Sequence, residues 1–192
     1  TVIIAEANDR QAGEAATWPF IYATLSIVDL RNERLLDVMT VARSEQAFAN
    51  ETLPVGACFV PRVKQVGPQT LRCWFASEQP GKRQSQTYYR DLDLATMTFE
   101  REIHRMKLTT AAGTFDLQPQ HLHADAAKQG FKRRPVDAGL YMFDNFKVFE
   151  GKTFIAINNY LGAQQALCTL NEAADTLTIV GHFNGPGEPA LT

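Results

Sequence analysis

Three cysteines in 192 residues, none spaced as a Cys-x-x-Cys pair, are too few for a disulfide framework and do not suit a structural zinc site. Cys58, Cys73 and Cys168 have apolar, strand-like neighbours and read as buried free thiols, although Cys58 and Cys73 fall on neighbouring strands of one expected hairpin, where a bridge is geometrically conceivable. No apolar run approaches the roughly 18 residues that cross a bilayer, and no basic amphipathic stretch suits a membrane surface. The 19 Lys and Arg against 21 Asp and Glu leave a net charge of −2 with no basic stripe, so the electrostatic footprint of a nucleic-acid binder is missing. Neither membrane nor nucleic acid is an expected partner. A Gly-x-Gly-x-x-Gly turn, a phosphate-binding Gly-Lys-Ser/Thr loop and a Gly-x-Ser-x-Gly elbow are also lacking, which removes the sequence case for nucleotide binding and for a serine hydrolase. Nothing in the sequence asks for a cofactor.

What is present is a repeated strand pattern. The stretch Gly56-Ala57-Cys58-Phe59-Val60-Pro61-Arg62 is matched by Gly139-Leu140-Tyr141-Met142-Phe143-Asp144-Asn145, each an apolar run ending in a polar pair and followed by a lysine, Lys64 or Lys147. A tight turn follows, Gly67-Pro68-Gln69 or Glu150-Gly151-Lys152, and then a second strand, Thr70-Leu71-Arg72-Cys73-Trp74-Phe75 or Thr153-Phe154-Ile155-Ala156-Ile157. Both copies continue through a polar turn into a third strand, at 85–90 or 165–170, and a hairpin into a fourth, at 97–101 or 177–183. Each is an antiparallel four-stranded meander, the unit from which β-propeller blades are made. The expected fold is all-β and propeller-like in one domain or fragment, with units at about 1–48, 55–107 and 139–184; two meanders of an ordinary sandwich are the competing architecture. Residues 109–135 break the pattern, read as an insertion over one face, and include a stretch suited to one short helix. Closure takes four or more blades, so the chain is expected to meet further blades or to self-associate. With Thr1 first and no charged-then-apolar leader, the expected setting is secreted or periplasmic; the Asn50-Glu51-Thr52 sequon does not fix it.

The run Phe59-Val60-Pro61-Arg62-Val63, the aromatic strand Trp74-Phe75-Ala76-Ser77 and the strand Ser85-Gln86-Thr87-Tyr88-Tyr89 resemble the sialidase-like superfamily of β-propeller glycosidases. The resemblance spans roughly residues 50–184. The family's Asp-box repeats do not occur here, and Arg62 is a loose counterpart of its Phe-Arg-Ile-Pro arginine. The resemblance implies a carbohydrate-active protein, in the first instance a glycoside hydrolase, with a glycan or other small polar ligand at the propeller funnel. The alternatives are a non-catalytic β-rich carbohydrate-binding or scaffold module, and a fragment of a larger propeller enzyme.

The innermost strand of a blade aims its ends at the axis, so Arg62 and the Asp144-Asn145 pair converge if their blades are neighbours. Arg62 offers a rigid fork for a carboxylate, and Asp144 an acid, a base or an anchor for a sugar oxygen. Hydrolysis of a glycoside needs a second carboxylate, for which Glu51 is the first choice and Glu78 and Asp137 are others. His121 and His123 alternate on an extended stretch and suit ligand binding or proton transfer; a metal would need a third group, with Asp116 and Asp125 nearby in sequence. Most strand aromatics, Trp74, Tyr88 and Tyr89 included, belong to a core. Tyr160, at a strand end beside Asn158 and Asn159, is the candidate for stacking on a sugar ring.

Overall fold

The structure is a computed structural model, described here for residues 2–8, 22–51, 55–56, 58, 62–78, 85–117, 141–143, 146–159 and 164–184. Among these residues the protein is all-β, with no helix; the stretch expected to hold a short helix lies outside them. The chain divides into two compact units, Thr1–Lys82 with Tyr88–His104, and Arg83–Thr87 with Arg105–Thr192.

The first sheet has the order β1 (Val2–Asn8), β2 (Tyr22–Asp29), β3 (Arg34–Arg43). The second runs β4 (Arg62–Gly67), β5 (Thr70–Glu78), β6 (Ser85–Asp93), β7 (Thr98–Phe99), with β8 (His104–Arg105) also paired to β6. The third contains β9 (Lys107–Thr110), β10 (Gly113–Asp116), β11 (Tyr141–Phe143), β12 (Lys147–Phe149), β13 (Lys152–Asn159), β14 (Gln164–Leu170) and β15 (Thr176–Asn184). Its order is β10-β9-β15-β14-β13-β11, with β12 also on β13, and β9 meets β15 in parallel. Two sequential meanders therefore stand where the repeat put them. The sheets remain separate, and no closed barrel or propeller occurs among the described residues. The stretch read as the start of an insertion, residues 109–116, supplies arms of the β9–β10 hairpin instead, because Leu108 and Leu117 are buried beside it.

Turn chemistry sets the registers. Pro68-Gln69 closes the β4–β5 hairpin between Gly67 and Thr70, and Glu150-Gly151 closes β12–β13 between Phe149 and Lys152. Both residues of the latter turn have positive φ, 47° and 75°, the type I′ geometry that suits strand twist and that glycine adopts without strain. A second device occurs three times: Asp29, Asp93 or Asn171, followed by four residues before the next strand, joins β2 to β3, β6 to β7 and β14 to β15. The Asp29 carboxylate accepts the N–H groups of Arg31 and Asn32, and that of Asp93 those of Ala95 and Thr96, an Asx turn that satisfies the loop backbone. These donors hold both carboxyls below the usual aspartate range, Asp29 chiefly through the Asn32 side chain and Asp93 chiefly through the Thr96 N–H.

The core of the first unit gathers Leu25 of β2, Val41 and Ala42 of β3, Leu71, Cys73 and Phe75 of β5, and Tyr88 and Leu92 of β6, with Phe48, Val55 and Ile103 from loops. Residues 23–27 of β2 are all buried, so this strand is covered on both faces. Asn50 ties the loop after β3 to the segment after β7: its Nδ2 donates to Ile103 O at 2.6 Å and its Oδ1 accepts the Ile103 N–H at 3.1 Å. This is a β-ladder pair made by a side chain, and it occupies the nitrogen that a glycan on the sequon would use. Asn50→Ala is expected to lower stability by about 1–2 kcal/mol in urea denaturation, since it leaves both backbone groups of Ile103 without this partner. An unchanged midpoint would show that water replaces the amide at no cost.

Candidate functional site

Arg62 begins β4 opposite Trp74 on β5, and Glu51 follows Asn50 in the loop after β3; both side chains are half-buried and both are engaged by other groups of the protein. Asp144, Asn145, Tyr160, His121 and His123 lie outside the described residues. The positions 144–145 fall between β11 and β12, two short strands that both pair with β13. Asn158 is on β13 opposite Met142 and Gln165. Asp116, considered as a third metal ligand, faces Lys107 and Arg105 at 3.7 Å each, and no group of three metal-ligating side chains occurs among the described residues. Trp74 and Tyr88 are core residues, the latter stacked on Phe75 at 5.7 Å.

On the opposite side of β6 from Tyr88 and Arg90, the fold assembles a row that strand-by-strand reading did not reveal. Arg72 of β5 grips Asp91 of β6 in a fork, Nε to Oδ1 and Nη2 to Oδ2, each at 2.8 Å. Its guanidinium lies 4.0 Å over the ring of Tyr89, and that ring stacks on His104 with centroids 5.0 Å apart. His104 Nε2 stands 3.1 Å from Glu100 Oε2, while Glu100 Oε1 accepts the Asp91 N–H at 2.7 Å and closes the circuit. Tyr89 and Asp91 share a face because they are two apart on one strand, and β5 brings Arg72 beside them. The alternation Tyr89-x-Asp91 was the available signal; its partners come from other strands. The charges of the fork cancel, while His104 and Glu100 remain about a third exposed at the open end.

The cysteines contribute no reactive group. All three are free and buried, burial pushes the Cys58 thiol up to about 12, and Cys73 is raised further by burial and by the Asp91 carboxylate. Searches of family models, of curated proteins and of solved structures found no match to this chain.

Proposed function

We propose that the protein is carbohydrate-active and built from propeller-type blades, with a glycan held against the first strands of its meanders. The observation that carries this reading is the equivalence of two strands. Arg62 opens β4 at the head of one meander, and Asp144 and Asn145 fall in sequence between β11 and β12, at the head of the other. The head of the first strand in each meander thus carries polar residues able to hydrogen-bond a ligand. Arg62 would anchor an acidic or hydroxyl group, and Asp144 would take acid/base work.

A second reading, a glycan-binding module without turnover, is favoured by the state of the described carboxylates. Asp29 and Asp93 cap turns, Asp91 holds Arg72, Asp116 faces two cations and Glu100 bonds His104 and a backbone N–H. None of these five stands ready in a hydrolytic pair.

Calorimetry against a panel of neutral and acidic oligosaccharides, followed by hydrolysis of the bound ones, separates the readings. Arg62→Ala is expected to weaken binding by about 10-fold through loss of a charge-assisted bond. Asp144→Asn is expected to lower any turnover by about 10²–10⁴-fold with binding kept. Binding without turnover in the unaltered protein selects the module; no binding across the panel overturns both readings.

A further inference from the structure

At the loop end of the β2–β3 hairpin, Leu30, Leu35, Leu36 and Val38 expose 60, 59, 46 and 47% of their surfaces. Leu35, Leu36 and Val38 lie on β3, an edge that has no partner strand among the described residues. Isolated exposed leucines are ordinary; three apolar residues on β3 and one in the turn before it, within nine residues, form a patch.

The third sheet shows what covers this position. The β2–β3 and β14–β15 hairpins have loops of equal length opened by Asp29 and Asn171, and Val28 pairs with Leu35 as Leu170 pairs with Leu177. Arg34 and Leu35 therefore correspond to Thr176 and Leu177; one residue further on, the β2–β3 ladder is interrupted by a bulge at Leu36. On β15 those two residues are in parallel register with Lys107 and Leu108 of β9. Leu177 and Leu108 are both 0% exposed, whereas Leu35, the same residue type at the same place, is 59% exposed. An added strand accompanies the difference.

We infer that the outer edge of β3 at residues 34–35, ahead of the bulge at Leu36, accepts a parallel β-strand from a partner polypeptide. The segment it fits is extended, with an aliphatic side chain in register with Leu35. It carries an acidic residue where β9 has Lys107, because Arg34, 3.9 Å from Asp29 yet with a 67% exposed side chain, takes the place of Thr176. Backbone hydrogen bonds would supply affinity, and the aliphatic and acidic positions would supply selectivity. A second copy offering the same edge in the same direction would set Arg34 against Arg34, so a different polypeptide is the better occupant. The charged neighbours Arg31, Glu33 and Asp37 guard the bare edge against indiscriminate pairing. This inference does not depend on the glycan reading.

The probe is a blocked synthetic peptide with the sequence of residues 105–112 carrying Lys107→Glu, added to the labelled protein while backbone amide exchange is followed. Saturating peptide is expected to slow exchange of at least one amide among residues 34–36 by about 10-fold or more. A scrambled peptide should have no effect, and the exposed substitution Leu35→Asp, with its fold checked by circular dichroism, should abolish the protection. Unchanged exchange at millimolar peptide overturns the inference, as does equal protection by the scrambled sequence. Sedimentation velocity supplies a separate check: a concentration-dependent dimer dissolved by Leu35→Asp would assign the edge to a second copy and overturn the choice of partner.

Discussion

Arg90→Met is expected to lower the free energy of unfolding by about 3–5 kcal/mol, mostly through lost charge-assisted bonds to backbone. Methionine preserves much of the side-chain volume, so a cavity is not the cause. Arg90 is buried on β6, where Nη1 donates to Val41 O at 2.5 Å and Nε to Glu100 O at 3.2 Å, and Nη2 donates to that same Glu100 carbonyl. Its guanidinium also lies 5.0 Å from the ring of Phe48 and 4.9 Å from that of Phe99. Burial pulls its pKa down and the Glu100 carboxylate opposes that pull; the group stays charged because arginine starts so high. One side chain thus joins β3, β6 and the segment after β7 within the first unit. Arg90→Lys keeps the charge but lacks a fork able to reach both carbonyls, so an intermediate loss of about 2 kcal/mol is expected. Urea denaturation measures both. A Met variant within about 1 kcal/mol of the unaltered protein would mean that the aliphatic stem and the two rings carry the stabilisation.

Asp91→Ala is the second large effect, about 2–4 kcal/mol, because it strands the Arg72 guanidinium, whose side chain is 12% exposed, without its counter-charge. The figure stands below that for a fully buried pair since Asp91 is 24% exposed and water screens part of the interaction. Arg72→Met should cost less, because it leaves the more accessible partner alone. Combined with Asp91→Leu it should recover stability, giving a coupling energy of about 1–3 kcal/mol in a double-mutant cycle. Additive losses would show that the fork at 2.8 Å contributes little beyond its separate contacts. The same double variant bears on function. If the row from Arg72 to His104 only supports the sheet, the refolded variant keeps whatever glycan affinity calorimetry finds in the unaltered protein; if the row binds sugar, that affinity falls while stability returns.

The strands were legible because their signals are local. Thr70 to Phe75, Ser85 to Arg90 and Thr153 to Ile157 are runs of β-branched and aromatic residues between turn residues, and each appears in β5, β6 and β13. The hairpin expected at 171–175 is likewise read from its own residues, Asn171 bonding the backbone of Asp175 and Thr176. Less legible was the start of the stretch read as an insertion. Lys107-Leu108-Thr109-Thr110 looks polar and short, and its strand character depends on Leu177 of β15, far along the chain. The Arg72, Asp91 and His104 grouping was hidden for the same reason: one residue comes from each of β5, β6 and β8, and no spacing records which strands will meet.

The sequence by itself determined the all-β class, the two meanders, their turns and the burial of Cys58, Cys73 and Cys168. Each of these follows from side-chain preference and hydrophobic alternation over a few residues, where chain connectivity already enforces proximity. The tertiary structure alone decided that β9 crosses to lie parallel on β15, that Arg90 reaches Val41 across the core, and that Tyr89 lies between Arg72 and His104. Those pairings are choices among many distant partners. They are made by the summed burial of whole faces, a quantity that belongs to the packed sheets and to no single segment.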